Sequence, residues 1–276
     1  MNPDMYKKLE DTIHYRKDIF LLTITDHSDS RLIGSKALLH TDGKLYTHSP
    51  LPADLKSKLI DSCHKFITKK QSGTVRFFCR NEMVECFAEY FPAPLHLIVA
   101  GAGHVCEPIA KMGKMLGFYV TVIDDRPEFA NRSRFPDIDD VVCESYITYF
   151  RNAQITDKTY ILLITRGHKF DVLSLTELLN RGENPAYIGM IGSRRRISGV
   201  FQEIRKDYPT ENFEHLYTPV GLDIGAETPA EIAVSVMAEI LKVKNQKSGY
   251  SLSEKIKEQA KKGFREGAGT WNKYTL

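Results

Sequence analysis

The chain has 276 residues, 42% of them apolar, and a formal net charge of +3, enough to bury a sizeable core and to divide into two modest domains. So small and evenly spread a charge argues against nucleic acid or an anionic membrane as the main partner. There is no run of about eighteen apolar residues, and the polar opening MNPDMYKKLEDTIHYRKD lacks the apolar core of a secretion signal, so a cytoplasmic protein is expected.

From the amino end, a short polar helix near Asp4 to Tyr15 precedes a strand, DIFLLTITD, and a second strand, SKALLHT. Asp42-Gly43 favours a hairpin back into KLYTH, because glycine accepts positive φ. PADLKSKLIDSCHKFITKK sets Leu55, Leu59, Ile60, Cys63 and Phe66 at helical spacing. That apolar face predicts packing on a sheet formed by TVRFFC and EMVECFAEY. Pro92-Ala93-Pro94 interrupts any regular element and marks the end of an α+β domain over 1–92. Beyond it, short apolar strands alternate with helices: LHLIVA, a helix to Leu116, FYVTVID, DVVC, TYILLIT, a helix to about Asn180, and AYIGMIG. The alternation predicts an α/β domain over 95–245, a Rossmann-like doubly wound parallel sheet covered on both faces. Thr228-Pro229-Ala230-Glu231 is a capping box with proline in the first turn, so a long helix starts at Pro229. The tail, 246–276, is polar with an apolar rhythm only at Leu252, Ile256 and Phe264, and reads as a loosely docked helix or one that orders against a partner.

Several turns carry chemistry. LHLIVAGAGHVCEPIA is a strand, a Gly101-Ala102-Gly103 turn and a helix starting near His104, the pattern of a dinucleotide fingerprint with Cys106 in place of its third glycine. Backbone N–H groups at such a turn favour a phosphate, and the third glycine serves close packing, which a small cysteine tolerates. In VTVIDDRPEF, Asp124 ends the next strand where an acidic residue meets ribose hydroxyls, and Arg126 suits a 2′-phosphate. YIGMIGSRRRISG resembles a second anion site, with Gly189 and Gly192 for close backbone approach, Ser193 as cap, and Arg194, Arg195 and Arg196 in a first turn that needs negative charge nearby. ITRGHKFD places Thr165, Arg166, Gly167 and His168 at the carboxyl edge of the sheet, where open α/β folds bind ligands; His168 is a candidate for proton transfer. PVGLDIGAET adds Asp223 between Gly221 and Gly225 in another ligand-side loop. HExxH and GxSxG motifs are absent, as is a clustered His/Cys ligand set. The five cysteines are odd in number and contain no CxxC pair, so free thiols are expected.

Together, GAGHVCEPIA, VIDDRPEFANRSRFP, TRGHKFD, YIGMIGSRRR and PVGLDIGAETPAEIAVSVMAEI resemble the xanthine dehydrogenase accessory factor (XdhC/CoxI) family, in order and over Leu95 to about Lys244. The resemblance implies a chaperone rather than a catalyst. Such a protein binds molybdenum cofactor (molybdopterin), works with a cysteine desulfurase in its sulfuration, and delivers it to apo xanthine dehydrogenase or a related molybdenum hydroxylase; a homodimer is also implied. Gly101, Gly103, His104, Asp124, Gly192, Ser193 and Arg194 match the family's positions. A GGGCxE segment found in many relatives is missing here, where the chain reads LLHTDGKLYTHSPLPADLKSKL, and FFCRNEMVECF, only loosely similar to a later cysteine segment, leaves Cys79 as the candidate thiol for the metal. Two other readings compete with the chaperone: an NAD(P)-dependent oxidoreductase using the Gly101 turn and Asp124, and a regulatory module whose nucleotide site has decayed. The intact glycines argue against the second, and no Tyr-Lys or His-Asp arrangement stands beside the fingerprint for the first.

Overall fold

The computed structural model describes residues 3–209, 215–254 and 256–257. The chain divides between Leu95 and His96 into two compact units.

The first unit is built on one antiparallel sheet. After helix α1 (Pro3–His14) come β1 (Ile19–Asp26), β2 (Lys36–His40), β3 (Leu45–Thr47), helix α2 (Ala53–Lys69), β4 (Gly73–Cys79) and β5 (Glu82–Phe91). The strand order is β3-β2-β1-β5-β4. Alternation along β1 supplies both faces. Phe20, Leu22 and Ile24 pack with Leu55, Leu59, Cys63 and Phe66 of α2, whereas Ile19 and Leu21 pack with Met5 and Leu9 of α1. The β2–β3 hairpin turns at Gly43, whose φ is +83°. A second tight turn, between β4 and β5, is made by Arg80 and Asn81 at φ +51° and +67°; it carries no glycine, which is why the sequence does not announce it.

The second unit is an all-parallel sheet. Its elements are β6 (His96–Ala100), α3 (Cys106–Met115), β7 (Tyr119–Asp124), β8 (Asp140–Cys143), α4 (Tyr146–Asn152), β9 (Thr159–Leu163), α5 (His168–Arg181), β10 (Tyr187–Met190), α6 (Arg194–Asp207), β11 (Leu216–Tyr217) and α7 (Pro229–Lys244). The order is β11-β10-β9-β6-β7-β8, with parallel registers such as Ala100 beside Ile123 and Leu163. Ile98, Ala100, Ile123, Ile161 and Leu163 form one core with α4, α5 and α6. On the opposite face α3 packs on α7, and Gly113 lets it approach so closely that a methyl there would lie 2.7 Å from Leu97 and 3.1 Å from Val120. The capping box at Thr228 and Glu231 forms, with Pro229 in the first turn of α7.

The chain runs outward from β6 to β8, returns to β9, and then runs outward the other way to β11. The seam between β6 and β9 is therefore the switch point of this sheet, and the loops after both strands open on the same carboxyl edge. Among the described residues no helix is long and apolar enough to cross a membrane. In the tail, Leu252 and Ile256 are exposed, and Phe264 lies outside the described residues.

Candidate functional site at the carboxyl edge of the parallel sheet

Parallel strands deliver their carboxyl-terminal loops to one edge, so the turns singled out in the second unit face the same side. Long-range bonds stitch them together. At Gly101, φ is +114° and an added Cβ would lie 2.4 Å from the Ile164 carbonyl oxygen. Glycine is thus required where the turn after β6 presses on the end of β9. Two residues on, an added Cβ at Gly103 would meet nothing within 4 Å, and His104 is exposed. Helix α3 starts at Cys106, two residues later than expected, with Val105 as its cap. The N–H groups of Gly103, His104 and Val105 take no backbone partner among the described residues. This is the open side of the turn.

Asp124 is fully buried and braces the turn from below. One carboxylate oxygen accepts from Ala102 N–H at 2.9 Å, and the two oxygens accept from Arg126 Nε at 2.8 Å and Nη2 at 2.9 Å. Arg126 in turn stacks on Phe129 at 3.7 Å. Burial raises the Asp124 carboxyl, but Arg126 and the backbone donors outweigh it and hold the group below its ordinary value. Both oxygens are thus engaged within the protein, and a ribose hydroxyl would have to share or displace these donors. Arg134 supports the same turn from outside by donating to the carbonyls of Ala102 at 2.8 Å and Phe129 at 2.9 Å.

Because the folded value of Asp124 is lowered, its contribution to stability is present above the unfolded carboxylate range and is lost as pH falls through the folded value. Asp124→Asn should cost about 2 kcal/mol near neutrality, measured by urea unfolding. The gap to wild type should narrow below about pH 4, and a gap that widens there would refute this account.

At the end of β9, Thr165 donates to buried Asp171 at 2.5 Å, and Arg196 reaches over from α6 to donate from Nε to the same carboxylate at 2.8 Å and from Nη2 to the Thr165 carbonyl at 3.0 Å. Burial pushes the Asp171 carboxyl up, against the pull of Thr165 and Arg196. The negative partner that the first-turn arginines need is, for Arg196, this internal carboxylate rather than a bound anion. Arg195 is exposed; Arg194 opens α6, and its side chain lies outside the described part. Ser193 caps α6, its Oγ accepting from Arg196 N–H at 3.4 Å.

The other candidates fall into place differently. Arg166 is bound by two hydrogen bonds, 2.6 and 3.0 Å, to Asp125 and lies 4.2 Å from the Phe170 ring. Gly167 caps α5 in extended backbone, φ −171°, which any residue adopts. His168 opens α5 with Nε2 3.1 Å from Glu203, while its Nδ1 is buried without a partner among the described residues. Gly189 is inside β10, and a methyl there would lie 2.6 to 2.8 Å from Val220, Tyr187 and Leu162; its role is internal packing, not the ligand approach expected of it. At Gly192 a methyl would lie 3.2 Å from Arg196 Cδ, so this glycine seats the arginine. Asp223 and Gly225 are exposed in the loop before α7.

Sequence reasoning passed over Asp125, Asp171, Arg134 and Tyr146. A first-turn Asp171 in α5 followed by arginines in α6 was a readable charge complement; Tyr146 had no signal at all. Its ring is buried against Phe170, 5.7 Å between centroids, and its hydroxyl has no partner among the described residues. In the first unit, Cys79 lies 3.5 Å from Asp54, and burial, then Asp54, push its thiol up and keep it protonated. Among the described residues no group of three or more His, Cys, Asp or Glu side chains is placed to hold a metal ion.

The model of the XdhC Rossmann domain family matches residues 97–240. A protein of Escherichia coli (strain K12) named "Uncharacterized protein YqeB" is 37% identical over 156 residues, 55% of this chain and 28% of that protein. A probable subunit of xanthine dehydrogenase from Bacillus subtilis (strain 168) is 35% identical over 153 residues, 55% of this chain and 44% of its own length. The matches thus span less than half the length of these relatives. A solved structure described as a xanthine dehydrogenase from Bacillus halodurans shares the fold at a TM-score of 0.50 and 20% identity, over 89% of this chain and 97% of that one.

Proposed function

From the premise that the chain belongs to the XdhC Rossmann domain family, we propose that it is an accessory factor in xanthine dehydrogenase maturation that holds molybdenum cofactor at the carboxyl edge of its parallel sheet and delivers it to an apo-hydroxylase. The observation that carries the reading is the open side of the Gly101–Gly103 turn at the β6/β9 switch point. Among the described residues the backbone N–H groups there are unpaired with backbone and a Cβ added at Gly103 would meet nothing within 4 Å, and the Arg166 guanidinium stands at the end of the adjoining strand. Such a site suits a phosphate.

The residues present fit the phosphate end of molybdopterin: the N–H groups on the open side of the Gly101–Gly103 turn and the Arg166 guanidinium would hold it. When bound, the group supplies a metal held by a dithiolene, the chemistry the recipient enzyme uses. The chain's own part is to bind the phosphate, exclude water around it and release it. Cys79, a protonated thiol, is a poor metal ligand as it stands. A cysteine desulfurase as sulfur source and a homodimer belong to the same proposal. The nicotinamide reading draws less support, because Asp124 already serves Ala102 and Arg126.

The test is to purify the full chain without oxygen from a host that makes the cofactor, oxidise it, and measure released pterin by fluorescence and molybdenum by mass spectrometry. Stoichiometric pterin, and activation of an apo-hydroxylase by the loaded protein, are expected. A chain that carries NAD(P) and no pterin would replace this reading with the oxidoreductase one.

A further inference from the structure

Strand order puts β6 between β9 and β7. Arg166 follows β9 and Asp125 follows β7, so their paired hydrogen bonds of 2.6 and 3.0 Å pass over the end of β6, where the Gly101 turn lies. The pair is a strap across the switch point. It is held on one flank by Phe170, 4.2 Å from the Arg166 guanidinium, and Phe170 in turn packs on the Tyr146 ring. Tyr146 is 2% exposed and its hydroxyl is unpartnered among the described residues. That hydroxyl lies within electrostatic reach of Asp124, Asp125, Arg126 and Arg166. A buried hydroxyl with no partner carries an unoffset desolvation cost, which a second state that gives it a partner would recover.

We propose that the phosphate of an incoming ligand draws Arg166 off Asp125, and that the Tyr146 hydroxyl then donates to the freed Asp125 carboxylate. The inference rests on the phosphate site proposed above, and it assigns Asp125 and Tyr146 to that site. Arg166 is the cation that changes partner. Asp125 competes with the ligand for it, and Tyr146 lowers the cost of release by giving Asp125 a replacement donor. No covalent bond is made or broken. An arginine already oriented by a carboxylate loses little side-chain freedom on meeting a phosphate, and the strap keeps the cation from pairing with stray anions until one with enough donors around it arrives.

The test uses the full chain and inorganic pyrophosphate as probe, by titration calorimetry at low salt, with NADP in a parallel arm. Arg166→Ala should weaken pyrophosphate about tenfold or more. Asp125→Ala should tighten it about fivefold, since the competitor is gone. Tyr146→Phe should weaken it about fivefold in the natural background and leave it unchanged in the Asp125→Ala background, because the hydroxyl acts only through that carboxylate. Without ligand, Tyr146→Phe should leave the melting temperature unchanged or raise it, a result that separates lost binding from lost folding. Equal affinity of wild type and Tyr146→Phe, weaker binding by Asp125→Ala, or no pyrophosphate binding by any variant would each overturn the strap. The predicted pattern together with a chain that carries no pterin would keep the strap and discard the molybdenum reading. NADP binding with the same pattern would then identify a dinucleotide as the phosphate's source.

Discussion

Gly101→Ala is expected to cost about 3 to 5 kcal/mol, combining backbone strain with forced overpacking. Two independent effects coincide at this residue. Its φ of +114° lies in a region that a side chain rarely adopts, and the new methyl would lie 2.4 Å from the Ile164 carbonyl oxygen and 2.8 Å from its carbon. Neither atom belongs to a flexible side chain, so the relief must come from moving the end of β9 away from β6. Gly103→Ala is the matched control: none of the described residues lies within 4 Å of the added methyl. It should keep stability within about 1 kcal/mol of wild type while blocking phosphate at the open side of the turn. Urea unfolding of both variants, followed by pyrophosphate titration of the stable one, checks the pair. A Gly101→Ala protein as stable as wild type would show that the turn does not press on β9.

Arg196→Ala should be of similar size, about 3 to 5 kcal/mol, because it leaves Asp171 as a buried charge without its cation. Asp171 is fully buried, and Thr165 is its remaining side-chain donor among the described residues. The pH dependence has a definite sign. Burial raises the folded value of Asp171 above that of the unfolded chain, so the stability tied to its protonated form is fully present below the ordinary carboxylate value and is lost as pH rises through the folded value. In wild type the Arg196 guanidinium tempers that loss. In the variant Thr165 remains but the cation is gone, and the deficit relative to wild type should grow from acid to neutral pH. The double variant Asp171→Leu with Arg196→Met should recover most of the stability, since an apolar pair of similar volume replaces the ion pair. A deficit independent of pH, or a double variant no better than the single, would mean that Arg196 acts through packing alone.

Legibility followed range. The strand, turn and helix at Gly101, the hairpin at Gly43 and the apolar face of α2 were all readable, because each is a contest among neighbours a few residues apart. The capping box of α7 needs only Thr228, Pro229 and Glu231, and it forms at the expected residue. The two-residue β11 was not readable: Leu216 and Tyr217 carry too few residues for a pattern, and they become a strand because β10 offers a free edge at Ile188 and Gly189. Gly189 itself looks like a ligand glycine among the turn residues nearby, but Leu162 of β9, Tyr187 of its own strand and Val220 from the segment after β11 converge on it.

What the sequence by itself determined is the parallel α/β unit, its carboxyl-edge loops and the residue types they carry, since alternation of apolar strands with amphipathic helices leaves few other ways to bury the apolar faces. Which charges in those loops are spoken for was decided only by the tertiary structure. Arg166 meets Asp125 across 41 positions of chain, and Arg196 meets Asp171 across 25. Tyr146, the first residue of α4, is buried because Phe170 of α5 packs on its ring. Local spacing fixes the direction of a side chain relative to its own element, whereas the partner it finds depends on how elements far apart in the chain are laid side by side.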